Sequence, residues 1–238
     1  MPRPATSNPN RLLNTILRDC PVLCDKVETI NFPVGHEICG PNEPLRYLYF
    51  PTTGLLSTLV ELREGGSAES LTVGNEGMIG LSVWFGLRKS LEQVLQQGTG
   101  EVARVSAREF CAAIPGHSRT ERLLKRFSAY SLRFGSQNTV CNAHHNVAQR
   151  MSRWLLTSAD RVSARKLNMT QSLLAHMLGV RRQTVGDVAI GLQKDGLIRY
   201  QRGDIQITDR RGLESLACEC YSEMGHLYEE LVAAVLTR

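Results

Sequence analysis

The chain has 238 residues, 42% of them hydrophobic and 21% charged, and a formal net charge of +5. That length has room for two modest cores, and no apolar run approaches the roughly 20 residues a membrane span needs, so a soluble protein is expected. A pI near 8.9 is compatible with a nucleic-acid partner but does not by itself require one.

In chain order, residues 1–10 lack the apolar core of a secretory signal and read as a disordered lead-in, which points to a cytoplasmic location. Between Ile30 and Val105, glycines such as Gly35, Gly40, Gly54, Gly65, Gly66 and Gly74 punctuate short β-rich runs, as in an antiparallel β-roll or jelly roll. The clearest hairpin joins 55–62 to 70–73 through Arg63-Glu-Gly-Gly66, and 101–105 gives a closing strand before a short helix over 107–114. From Arg119 to Ala159 glycine is nearly absent, and Leu124, Phe127, Ser131, Phe134, Asn138, Cys141 and His145 recur three and four residues apart. That rhythm predicts a long helix running on through Asn146 to Leu156. These residues form a dimer seam if the helix pairs with its copy, the polar members fixing register; a helix packed on its own domain would show the same spacing.

The most informative segment follows. Thr170 suits an N-cap, Leu173, Leu174 and Met177 form one apolar face, and Gly179 permits the turn into a second helix over 181–194. There Val185, Val188, Ala189 and Leu192 face inward while Arg181, Arg182, Gln183 and Asp187 stay outside the stripe. A hairpin over 197–208, turning at Arg202-Gly203, completes a winged helix-turn-helix. Charge agrees: Arg150, Arg153, Arg161, Arg165, Lys166, Arg181 and Arg182 stand against the single acid Asp160, an excess suited to phosphates. From Gly212 to Val235 a helical rhythm continues; it is expected to pack on its own domain, with contact to the N-terminal half as the alternative.

Seven cysteines invite a redox or metal reading. Cys20, Cys24 and Cys39 are too loosely spaced for an iron–sulfur cluster, and buried structural cysteine is the default for all seven. Cys141, beside His144 and His145, is the exception to watch, whereas Cys218 and Cys220, taken as helical, point to different faces. An enzyme is not expected: a metal-dependent jelly roll needs converging histidines, and the β-roll offers only His36 beside Glu37.

The stretches Leu174-Ala-His-Met-Leu-Gly-Val-Arg-Arg-Gln-Thr-Val-Gly186 and Gly196-Leu-Ile-Arg-Tyr-Gln-Arg-Gly-Asp-Ile-Gln-Ile-Thr-Asp-Arg210 resemble the Crp/Fnr transcription regulators. More loosely, so do 49–54, 73–80, Cys141-Asn142 and 218–221. The resemblance implies an α+β chain with an N-terminal cyclic-nucleotide-binding-like β-roll (1–117), a long dimerisation helix (118–150) and a C-terminal winged helix-turn-helix (151–238). It implies a homodimer on palindromic double-stranded DNA, with RNA polymerase as a further partner and no membrane partner. Arg182 keeps the family's guanine-reading arginine; Gln183 stands for a glutamate and Asp187 for an arginine, so the operator differs from the usual half-site. Lys166, Thr170, Arg181, Thr184, Arg199 and Arg202 are the expected phosphate contacts. In the β-roll, Ser90 falls where the family's phosphate-binding arginine stands and Leu81 near its ribose carboxylate. Gly80, Leu81, Arg88, Lys89 and Ser90 thus mark a degenerate pocket, and neither cyclic AMP nor any other cofactor is expected. A redox- or metal-switched regulator and a constitutive DNA-binding protein are the alternatives.

Overall fold

Asn10 shows how the chain enters its fold. Its side-chain oxygen accepts from Leu13 N at 2.9 Å, capping a first helix, while its amide donates to the carbonyls of Pro51 and Gly77 at 2.8 Å each. The structure, a computed structural model, describes residues 9–162 and 166–236. Most of the expected lead-in and Arg165 therefore lie outside the described residues. Helix α1 (Arg11–Asp19), absent from the sequence reading, buries Leu12, Leu13, Ile16 and Leu17.

After a 3-10 turn come β1 (Glu28–Asn31), β2 (Glu37–Cys39), β3 (Tyr47–Pro51), β4 (Leu55–Glu61), β5 (Ser67–Val73), α2 (Leu81–Trp84), β6 (Gln93–Gly98), β7 (Glu101–Ser106) and α3 (Ala107–Ala113). They form two antiparallel sheets, ordered β1-β7-β3 and β2-β6-β4-β5, with Leu56, Val73, Val94 and Val102 in the core they share. The expected hairpin is β4–β5 and the closing strand is β7. His36 does not enter the roll: it is exposed and stacks on Phe32.

The long helix is not continuous. Helix α4 (Arg119–His144) stops, and α5 (Val147–Arg161) restarts after His145 and Asn146. Asn146 accepts from Gln149 N at 3.0 Å while Gln149 Oε1 accepts from Asn146 N at 3.1 Å, a capping box that favours a new start over continuation. The seam expectation needs correction as well. Leu124, Phe127, Phe134, Asn138 and Cys141 are at most 4% exposed, turned into the β-roll, α1 and the C-terminal helices of their own chain. The face left outside carries Ala129, Leu132, Ser136, Val140 and Ala143.

Strand β8 (Lys166–Asn168), α6 (Gln171–Leu178), α7 (Arg182–Lys194), β9 (Ile198–Gln201) and β10 (Asp204–Ile207) follow, and β8 adds an unforeseen third strand to the wing, ordered β8-β10-β9. Helix α6 packs on β5, and Leu59 and Leu95 of the roll share a core with Trp154, Met177 and Leu178. The C-terminal segment is broken too: α8 (Arg210–Leu216) and α9 (Cys220–Tyr228) are separated by a kink at 217–219, and a π turn leads to α10 (Ala234–Leu236). It crosses to the N-terminal half instead of packing only on its own domain. Met224, Tyr228 and Val232 join the core of α1 and α4, and Tyr228 Oη donates to Glu76 O at 3.1 Å.

Candidate nucleic-acid interface and a buried cysteine cluster

Gly179 makes the helix-turn-helix possible. Its φ of +61° closes α6 with backbone bonds to Ala175 and His176, a conformation costly for residues with a Cβ. At the other end Thr170 caps α6, accepting from Leu173 N at 3.2 Å. Val185, Ala189 and Leu192 pin α7 to the domain core, leaving Arg182, Gln183 and Asp187 exposed along its outer face. The N-cap residue of α7, Arg181, accepts no side-chain bond from the helix's first backbone N–H groups.

The wing turns at Arg202 and Gly203, both with positive φ, and holds Arg202 out into solvent. Thr170, Arg182, Gly186, Gln193, Tyr200 and Arg202 line one groove of about 530 Å³ between α6, α7 and the wing. Arg199 is exposed on β9, and Lys166 pairs with Asp204 at 2.7 Å across the wing. Arg181 lies elsewhere, in the cleft between the winged helix and the β4–β5 loop. The charge count needs revision: Arg150, Arg153 and Arg161 are only 6–7% exposed and cannot reach a phosphate. Arg150 donates to Leu178 O, and Arg161 to Thr72 O, beside Glu76.

The expected ligand residues divide. Gly80, Leu81 and Ser90 line a cavity of about 400 Å³ between the roll and α4, which Ser128 and Ser131 also line; Arg88 faces a different pocket, and Lys89 lines neither. Ser90 Oγ is committed to Glu92 O at 2.6 Å, and Glu92, an acid, is the charged member of the lining. A phosphate would find no cation among those residues.

The cysteines require a larger correction. Cys141, Cys218 and Cys220 are 0%, 3% and 1% exposed and form a small cluster of their own, joined by His145. Cys141 and Cys218 sulfurs are 3.5 Å apart, Cys220 Sγ is 3.7 Å from His145 Nδ1, and the four ligand atoms lie within 4.8 Å of one another. The expectation of no cofactor fails on this geometry, since four metal-capable donors converge. Its error was helical: Cys218 lies in the kink before α9, so the two-residue spacing does not separate it from Cys220. A hydrogen bond from Cys218, helped by the nearby Arg153 charge, holds the Cys141 thiol well below the ordinary thiol range, and the same bond with burial pushes Cys218 up.

Comparison with known proteins agrees with this architecture. Residues 149–216 match the family model described as the Crp-like helix-turn-helix domain. Three solved structures superpose over most of the chain: FixK2 from Bradyrhizobium japonicum (TM-score 0.67, 20% identity, 81% of this chain and 98% of that one); a CRP-family transcriptional regulator from Thermus thermophilus (0.66, 20%, 79% and 96%); and a CRP/FNR-family regulator from the same organism (0.61, 24%, 80% and 98%). The chain has the Crp/Fnr regulator fold. Residues 149–216 are a Crp-like helix-turn-helix domain, the module the sequence reading expected there. No curated protein matches the chain in sequence. Among the described residues no helix is long and apolar enough to cross a membrane.

Proposed function

We propose that the protein is a homodimeric Crp/Fnr-type regulator that reads a palindromic operator with α7. The observation that carries this is the groove joining Thr170, Arg182 and Arg202, with Gln183 and Asp187 exposed beside it. Arg182 reads guanine through its two-pronged guanidinium, Gln183 favours adenine and Asp187 supplies an acceptor. Thr170, Thr184, Arg199, Arg202 and Lys166 set position through phosphates, with Arg181 at the cleft edge. The two copies pair through the outer face of α4, and RNA polymerase is a further partner. The roll's cavity takes a ligand other than a cyclic nucleotide bound through an arginine.

Selection from a random duplex library tests this reading: an enriched palindrome without added nucleotide is expected, and enrichment of no sequence would refute it. Against the selected operator, Arg182→Ala should cost about 1–3 kcal/mol and relax choice at one base pair, whereas Lys166→Ala should weaken operator and random DNA alike. Equal losses on both DNAs for Arg182→Ala would remove it from base reading. A second reading, a metal- or redox-switched regulator, is favoured by the convergence of Cys141, His145, Cys218 and Cys220.

A further inference from the structure

A buried cysteine usually packs among aliphatic side chains as a small apolar residue. These three do not: their buried neighbours in the cluster are one another. Cys218 comes from the kink between α8 and α9, Cys220 from the first position of α9, and Cys141, with His145, from the end of α4. The His145 ring is already oriented for coordination. Its Nε2 lies 3.2 Å from Glu219 Oε2, leaving Nδ1 turned toward Cys220 Sγ. A carboxylate behind a histidine is the usual outer support of a metal-binding imidazole, because it fixes the tautomer that presents a lone pair to the metal. Gln137 Nε2 donates to Cys220 Sγ at 2.9 Å, the hydrogen bond a bound thiolate accepts.

From this geometry we propose that Cys141, His145, Cys218 and Cys220 bind one zinc-class divalent ion in a closed tetrahedral site, which clamps the α4–α5 joint to the α8–α9 kink. Thiolates about 2.3 Å from zinc place neighbouring sulfurs about 3.8 Å apart, close to the 3.5 Å between Cys141 and Cys218. That pair would open slightly and the wider-spaced donors, all within 4.8 Å of one another, would draw in by about 1 Å or less to close on an ion. Three thiolates and a divalent ion leave one net negative charge, which the buried Arg153 guanidinium beside Cys141 would offset. A Cys₃His set that supplies all four ligands of a tetrahedral ion is the structural class of zinc site, in which metal affinity adds directly to folding stability. The clamp also reaches the DNA-binding helices, since Arg150 donates to Leu178 O in the last turn of α6.

This inference deepens the metal-switched reading and is tested without reference to DNA. The full-length protein, reduced and stripped by a chelator, is titrated with Co²⁺ and then with Zn²⁺. One equivalent of cobalt should give tetrahedral d–d bands with a thiolate charge-transfer band, and one equivalent of zinc should abolish both. Cys218→Ser and Cys220→Ser should lose the thiolate spectrum, while Cys111→Ser, an exposed cysteine outside the cluster, should titrate like the wild type. Should the serine variants fail to fold, alkylation of the wild type mapped by mass spectrometry decides the question. Zinc should slow labelling of Cys141, Cys218 and Cys220 at least about tenfold and leave Cys24 and Cys111 unchanged. An octahedral cobalt spectrum, no protection by zinc, or a Cys141–Cys218 disulfide forming in the presence of equimolar zinc would each overturn the proposal. Operator binding by a protein that gives no cobalt spectrum would overturn the metal site and leave the regulator reading intact. A cobalt spectrum in a protein that selects no operator would support the site and refute that reading.

Discussion

Arg161→Met should destabilise the protein by about 3–5 kcal/mol in urea unfolding, because it strands a buried carboxylate. Arg161 Nε lies 2.9 Å from Glu76 Oε1, with the two side chains 7% and 4% exposed. The guanidinium also donates to Thr72 O, and to Tyr130 Oη at 3.1 Å, and stacks on the Phe134 ring. One side chain at the end of α5 therefore holds the turn after β5 and the inner face of α4 together. Methionine fills much of the volume, so the loss reports the uncompensated charge and not a cavity. Replacing both partners, Arg161→Met with Glu76→Leu, should recover a substantial part of the stability, since a buried ion pair exchanged for apolar groups is often close to neutral. A loss below about 1 kcal/mol for the single variant would mean the pair is solvated and does not join the two halves. Operator affinity of the surviving folded fraction should be near that of the wild type, because Arg161 is far too buried to touch DNA.

How legible such features are in a sequence depends on whether the signal is local. The β4–β5 hairpin, Gly179 and the Arg202-Gly203 wing turn were readable because backbone conformation there is dictated by the residues themselves. The break between α4 and α5 was also written locally, as Asn146 followed three residues later by Gln149, but the apolar rhythm runs straight across it and was the stronger cue. Likewise Asn10 ahead of Leu12, Leu13, Ile16 and Leu17 announces α1 to a reader watching for caps. What was not legible is which face of an element meets which neighbour. Arginine enrichment over 150–182 is plain in the sequence, yet charge counting cannot tell a phosphate contact from Arg161 buried on Glu76. A three-four repeat in α4 identifies a buried stripe without saying whether the cover is a second copy or the same chain. The cysteine cluster is hidden in the sequence for a related reason: Cys141 and Cys218 lie 77 positions apart, and the kink at 217–219 turns Cys218 and Cys220 toward one point.

The outer face of α4, the pairing surface proposed above, leads to the second large effect: Leu132→Glu should convert the proposed homodimer to a monomer and lower operator affinity about 10²–10⁴-fold. Leu132 and Val140 are 74% and 50% exposed, and with Ala129, Ser136 and Ala143 they repeat three to four residues apart on the side of the helix that its own chain leaves uncovered. Small residues flanking two large ones let a second α4 approach closely, as a two-helix seam requires. On a two-fold axis Leu132 would lie near its own copy, so the new carboxylates would repel each other in a desolvated contact. The fold of each chain should survive, because Leu132 is 74% exposed and meets its own chain only along the cavity between the roll and α4. Without pairing, the second recognition helix is no longer held one DNA turn away, and the gain from tethering two half-site contacts is lost. Sedimentation velocity should show a halved mass, with circular dichroism unchanged and random-sequence DNA bound more weakly but still salt-sensitively. Val22→Glu, an equally exposed position after α1, should change none of these. If Leu132→Glu stays dimeric and keeps its operator affinity, α4 does not form the pairing surface, and the two recognition helices must be held together through another face of the molecule.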